Sequence, residues 1–304
     1  MRRSSRPRCV RLRPNAEVRK RLPADWPGRD HSAFVEVEGL RWHLQRRGRG
    51  PCVLLLHGTG ASSHSWVPLA RCLEGHFDLL TVDLPGHGFT QLVPAAQSSL
   101  PAVARAVARL LRHLDIEPDL IVGHSAGAAV AASLCLLGAL NPRAIVSING
   151  AMLPFGRAAA PLFSRAARLL AAAPVFPQLV ALHAVPRKPI ERMLRQTGSA
   201  SSPEMVRCYR TLLGNTEHVA GTLRMMANWD LVQLERNLDR LDPPLYLLVS
   251  DRDRVVEPAQ AEELQTRLAG SVLERAPGLG HLGHEEEPAW FAARIETIAV
   301  KHLN

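Results

Sequence analysis

The stretch from Leu120 to Ala129, Leu-Ile-Val-Gly-His-Ser-Ala-Gly-Ala-Ala, constrains this chain more than any other. Leu120 to Val122 reads as a buried strand, Gly123-His124-Ser125-Ala126-Gly127 follows at once, and a long apolar helix comes next. G-x-S-x-G between strand and helix demands a sharp turn that lifts the serine hydroxyl clear of a parallel sheet. Glycines at 123 and 127, with the small Ala126 between, remove side chains that would collide as strand and helix close. No Lys, Arg, Asp or Glu occurs from Leu120 to Pro142. The glycines still divide that run into strand, turn and helix, so a buried central element explains it better than a membrane span.

The flanking sequence supplies a sheet for this element. Phe34 to Val37 and Leu40 to Leu44 alternate around Gly39, as a surface hairpin would. Cys52 to Leu56 is continuously apolar, the mark of a strand buried on both faces, and runs into the glycine-rich loop His57-Gly58-Thr59-Gly60. A helix is expected around Trp66 to Leu73 and a strand over Phe77 to Val82, closed by Asp83-Leu-Pro-Gly-His-Gly88. Residues 100–114 form an amphipathic helix with Val103, Val107, Leu110, Leu111 and Leu114 on one face. Ala144 to Ile148, Leu245 to Val249 and a stretch near Val272-Leu273 are further strands, with helices over Pro258 to Leu268 and Pro288 to His302. Alternating apolar strands and helices argue an α/β fold whose mostly parallel sheet is covered on both sides.

The rhythm breaks over residues 150–229, where helical segments rich in Ala, Leu, Met and Arg are punctuated by prolines. This reads as a helical cap inserted after the sixth strand, leaving 22–149 and 230–304 as the core. Val175 to Val185 is apolar enough to line a hydrophobic cavity, although helix–helix packing is the commoner explanation for such a stripe.

Net charge is +9, but residues 1–21 hold nine basic side chains against Glu17, a balance of +8, so the remainder carries only +1. The charge is a basic tail, not a nucleic-acid-binding face. A solvated, disordered leader or a start codon set too far upstream accounts for it. Adhesion to an anionic membrane surface is the alternative, at about 1 kcal/mol per basic residue near the surface. No apolar segment follows the twin arginines, so this is not a secretory signal. Cys9, Cys52, Cys72, Cys135 and Cys208 are odd in number and scattered, which fits ordinary thiols in a reducing compartment.

A serine hydroxyl needs a base to take its proton, and the imidazole that does so needs an acid to fix its tautomer. Downstream of Ser125, an acid just past one strand (Asp251 or Asp253) and His281 past the next give the order Ser, Asp, His. The oxyanion of a tetrahedral intermediate would be held by the N–H of Ala126, after the nucleophile, and by that of Thr59. No metal or other cofactor is called for. His284 beside Glu285 to Glu287 lacks the H-E-x-x-H spacing of a zinc pair, and His57 is placed to brace its loop. Met152, Trp229 and Leu282 are candidate pocket residues, although core packing suits each as well.

His57-Gly58, Asp83 to Gly88, Gly123 to Gly127, Ser250-Asp-Arg-Asp253 and Gly280-His281 through Glu286 and Pro288 together resemble the α/β-hydrolase fold. The resemblance implies Asp253 as the acid. A closer resemblance is to the magnesium-chelatase accessory hydrolases of bacteriochlorophyll biosynthesis. It is carried by Asp25-Trp26-Pro27, Gly39 to His43, His57 to Trp66, Asp83 to Thr90, Gly123 to Ala128 and Gly278 to Leu282. It implies a photosynthetic bacterium and a cytoplasmic protein near, or peripheral at, the inner membrane, acting beside magnesium insertion into a porphyrin. Two functions remain open: a serine hydrolase that cleaves an ester, thioester or related acyl bond of a hydrophobic substrate, or a non-catalytic accessory that holds a porphyrin or a chelatase subunit.

Overall fold

The computed structural model describes residues 16–154, 176–183 and 186–303. Eight strands form one sheet in the order β1-β2-β4-β3-β5-β6-β7-β8. They are β1 (Ser32–Val37), β2 (Leu40–Gly48), β3 (Cys52–Leu56), β4 (Asp78–Val82), β5 (Leu120–His124), β6 (Ala144–Ile148), β7 (Leu245–Ser250) and β8 (Val272–Ala276). β2 runs antiparallel to β1 and to β4, and the pairs from β4 to β8 are all parallel.

Alternation along each central strand feeds two cores. Leu54, Leu56, Ile121, Ile145 and Leu247 point to a layer built by α3 (Leu100–His113) and α4 (Ala126–Leu136). Val53, Leu55, Val122, Val146 and Leu248 point the other way, to Leu69 and Leu73 of α2 (Val67–Leu73) and Phe291 and Ile295 of the C-terminal helix Pro288–Leu303. Burial on both faces is why these strands read as unbroken apolar runs.

The hairpin departs from its surface expectation. Trp42, His43, Leu44 and Gln45 are all buried, because β2 extends to Gly48 and takes β4 as a second neighbour. The basic tail also ends earlier than expected. Residues 1–15 lie outside the described residues, but Ala16–Arg21 is a helix, α1, whose Val18 packs with Leu22, Trp26 and Phe34 against Cys208 and Leu212. A single apolar face, Val18 and Leu22 four residues apart, is enough to dock those six residues.

Between β6 and residue 228 the elements of the described chain are helices: α5 (Phe176–His183), α6 (Arg187–Gln196), α7 (Pro203–Leu213) and α8 (Thr216–Asn228). Val175, Ala184 and Val185, the ends of the expected apolar stripe, lie outside the described residues. Ile190, Leu194, Met205, Val206 and Tyr209 close onto Ala61 and Leu282 of the core. α9 (Val232–Asn237) leads back to β7, α10 (Pro258–Arg267) joins β7 to β8, and the short α11 (Gly283–Glu286) precedes the C-terminal helix, α12.

Candidate active site

β5 ends at His124, and Ser125 takes φ 51° and ψ −119° before α4 begins. A non-glycine residue held there stores about 1–3 kcal/mol of strain, which the surrounding contacts must balance. They are close: a Cβ on Gly127 would stand 2.0 Å from the carbonyl oxygen of Leu56, and one on Gly123 2.5 Å from Cα of Ala128. Ser125 N–H donates to Ile148 O at 3.1 Å, and Ala128 N–H and Ala151 N–H both donate to Ser125 O, at 3.1 and 3.0 Å. The turn is thus pinned from β6 and from its own helix.

Past the same sheet edge, the loop after β7 carries Asp253 and the loop after β8 carries His281. Their side chains meet, with His281 Nδ1 2.7 Å from Asp253 Oδ2, both nearly inaccessible to solvent. The other oxygen, Oδ1, accepts from Val255 N–H at 2.7 Å and Val256 N–H at 3.0 Å, so the carboxylate is fully engaged and cannot rotate away. Asp251 instead sits exposed, 3.3 Å from Arg275 Nη1. His281 reaches the elbow through His124: the two rings lie 4.6 Å apart, and His124 Nε2–H donates to His281 O at 2.9 Å.

The loop after β3 closes the other side. Ala61 N–H donates to Gly58 O at 3.2 Å with Gly60 at φ +78°, the third position of a type II turn, which puts Thr59 at the second. A Cβ on Gly58 would lie 2.9 Å from Cβ of Ser125, so this turn stands directly against the serine. Ala126 is the first residue of α4, where amides have no intrahelical acceptor. Thr59 Oγ1 lies 3.3 Å from Met225 Sδ, bringing α8 of the cap over the turn.

The model of the alpha/beta hydrolase family matches residues 53–294. The chain belongs to that family. It is 36% identical over 266 residues, 87% of this chain and 93% of the relative, to a magnesium-chelatase 30 kDa subunit from Rhodobacter capsulatus. It is 28% identical over 85% of its length, and 98% of the relative's, to a pimeloyl-[acyl-carrier protein] methyl ester esterase from Vibrio vulnificus. Among solved structures, an α/β hydrolase fold protein from Burkholderia ambifaria superposes with a TM-score of 0.74 at 23% identity, over 88% of this chain and 97% of that one, which shows a common fold.

Within this member of the family, residues without a sequence signal brace the site. Asn149, at φ 46° just past β6, accepts from Ser250 N–H at 2.7 Å through Oδ1. Its Nδ2 donates to His281 O at 2.9 Å and to Ser250 Oγ at 3.0 Å, tying three strand ends together. The Asn149-Gly150 pair marks a turn but not this role. In the cap, Thr197 O accepts from both His281 N–H and Arg254 N–H at 3.2 Å, and Ser199 Oγ accepts from Leu282 N–H at 2.8 Å. His57 braces its own loop, with Nδ1 2.8 Å from Gly58 O and Nε2 accepting from Leu84 N–H at 2.9 Å. Burial pushes its pKa down, against the pull of Asp83. His124 is pushed well down by burial, then by His284 and His281, so it stays neutral beside the candidate base.

The three pocket candidates are spread out. Leu282 packs in the cap–core seam with Ala61 and Tyr209. Met152 is fully buried in the layer under α4, and Trp229, which ends α8, packs against that layer. Among the described residues no cluster of His, Cys, Asp and Glu is arranged to hold a metal ion, and no helix is long and apolar enough to cross a membrane.

Proposed function

We propose that this protein is a serine hydrolase that cleaves an ester, thioester or related acyl bond of a hydrophobic substrate, with Ser125 as nucleophile. The observation that carries the reading is the buried 2.7 Å pair of Asp253 and His281 on the sheet edge where Ser125 is lifted out of the plane. Asp253 holds a proton on Nδ1 of His281, leaving Nε2 as the base. Nε2 takes the proton of Ser125 Oγ as the oxygen attacks the acyl carbon. The oxyanion that forms is held by the N–H groups of Thr59 and Ala126. Collapse breaks the bond to the leaving alcohol or thiol, which departs with the proton from His281. A water then repeats the sequence on the acyl-enzyme, releasing the acid and regenerating Ser125. Apolar side chains of the seam, Leu282 among them, and Met152 and Trp229 are proposed to receive the acyl group.

Similarity to the Rhodobacter magnesium-chelatase subunit favours a second reading, a non-catalytic accessory that binds a porphyrin or a chelatase subunit in a photosynthetic cell. In either case residues 1–21 are proposed to reach an anionic membrane from the cytoplasmic side, a contact that salt would weaken. A fluorophosphonate probe and a series of p-nitrophenyl esters, with free porphyrin as competitor, test the reading. Labelling and turnover that vanish in Ser125→Ala support hydrolysis. An unlabelled, inactive wild-type protein that binds porphyrin supports the accessory.

A further inference from the structure

Four residues past His281, Glu285 is buried in the seam between cap and sheet. Its Oε1 accepts from Ser65 Oγ–H at 2.5 Å and from Tyr209 O–H at 2.9 Å. Tyr209 belongs to α7 of the cap, and Ser65 to the turn that follows Thr59. With its proton directed at Glu285, Ser65 Oγ accepts from Nε2–H of His284, 2.8 Å away. The His284 ring lies 4.4 Å from that of His124 and 4.7 Å from that of Trp66. His124 in turn carries Ser125 on its carboxyl side and donates to the carbonyl oxygen of His281. One carboxyl group therefore joins the cap, the Thr59 loop and the His281 turn, and none of the proposed chemical steps uses it.

We infer that Glu285 is a positioning residue: through Tyr209 and Ser65 it fastens the turn that carries His281 to the cap, so that the imidazole faces Ser125 only while the cap is docked. The inference deepens the hydrolase reading and rests on it for the reaction affected. Neighbouring contacts act in the same direction. Glu286 Oε1 accepts from Gly280 N–H at 3.1 Å and its Oε2 from Ala200 N–H at 2.8 Å, a second clasp between cap and turn. Burial pushes the Glu285 pKa up to about 7, Glu286 adding to it, against the hydrogen bonds from Ser65 and Tyr209. The group is thus largely a neutral acid at pH 6, where glutamine keeps its shape and the acceptor oxygen.

Three variants of the full chain test this at pH 6: Tyr209→Phe, Glu285→Ala and Glu285→Gln, with thermal unfolding as the control for folding. In hydrolysis of a short p-nitrophenyl ester, kcat falls about tenfold in Tyr209→Phe, the equivalent of one net hydrogen bond, and further in Glu285→Ala. KM stays within about twofold, because a short acyl chain does not depend on the cap. Glu285→Gln restores kcat to near the wild-type value. In proton NMR, the His281 Nδ1–H resonance moves or broadens in the first two variants and is kept in the third. That readout needs no turnover: if the wild-type protein neither hydrolyses esters nor takes a serine probe, the hydrolase reading fails while the resonance still decides whether Glu285 positions the ring. Folded Tyr209→Phe and Glu285→Ala proteins with unchanged kcat or, without turnover, an unmoved resonance overturn the inference.

Discussion

Lowering the pH from 7.5 to 5.5 will destabilise this fold by far more than its surface charge suggests. Burial pushes the pKa of His64 and of His284 down to about 3 and that of His218 to about 4, and holds His87 and His124 well below the ordinary 6.5. These five rings stay neutral in the folded chain and take up protons once it unfolds. The unfolded state therefore binds more protons below pH 6.5, and stability is lost as pH falls through that value. For each ring the loss between pH 7.5 and 5.5 is about 1.4 kcal/mol, together roughly 7 kcal/mol. His57, also lowered, acts in the same sense. Glu285 opposes them: raised to about 7, it gains its proton in the folded chain across this window and returns roughly 2 kcal/mol. The net loss, roughly 5 kcal/mol, is comparable with the whole stability of many domains. Urea unfolding followed by tryptophan fluorescence at pH 7.5, 6.5 and 5.5 measures it, and His218→Asn, which keeps an acceptor for Gly88 N–H, should flatten the profile by about 1.4 kcal/mol. Unfolding free energies that agree within about 1 kcal/mol at the three pH values would refute the reasoning.

Other perturbations separate the roles at the site. Ser125→Ala should lower kcat about 10⁶-fold with little change in Tm, read with a p-nitrophenyl ester. Asp253→Asn should cost roughly 10⁴-fold by releasing the His281 tautomer, while Asp251→Asn leaves kcat within about twofold; equal losses would sink the assignment of the acid. Thr59→Pro deletes one amide donor yet supplies the φ that the second position of its turn requires, so kcat should drop about 10²–10³-fold in a folded protein. Gly127→Ala drives a Cβ into Leu56 O and should cost about 3 kcal/mol, seen as a lowered urea midpoint or a loss of soluble protein.

The sequence discloses the sheet because its parallel strands are buried on both faces: Cys52–Leu56 and Ala144–Ile148 stand where their apolar runs lie. β2 reads as a surface strand for the converse reason. Arg41, Gln45 and Arg46 are polar, and only the pairing with β4 buries the middle of that strand; the nearly buried Arg46 side chain is held by an ion pair with Asp78 of β4. The serine elbow is legible because strain and close approach both require small residues at fixed spacing. What decides between Asp251 and Asp253 is not legible, since it lies in two backbone amides and a ring 28 residues away. The same holds for Asn149, Thr197 and Glu285, whose bracing partners stand 57 to 220 residues away in the chain and meet them only because the sheet edge gathers them.

A second His–Asp pair shows why such a contact does not by itself make a catalytic base. His43 Nδ1 lies 2.7 Å from Asp83 Oδ2, as close as His281 lies to Asp253, and both side chains are wholly buried. Burial alone would raise the Asp83 pKa, but His43, His57 and the Phe89 N–H hold it below the usual carboxylate range. That carboxylate also accepts from Ser63 N–H at 2.6 Å and Phe89 N–H at 2.9 Å, which sets the loops on either side of β4. His43, however, is in the middle of β2, between Phe34 and Phe89, and its Nε2 has no protein partner among the described residues. An imidazole there is oriented as firmly as His281 but faces apolar rings. His281 stands past the end of β8, where the parallel strands also deliver a serine at a strained φ and the Thr59 turn. The same pair is a structural clasp in the middle of an antiparallel strand and a candidate base past the ends of the parallel ones, where ligands of such sheets bind and where the serine elbow also stands.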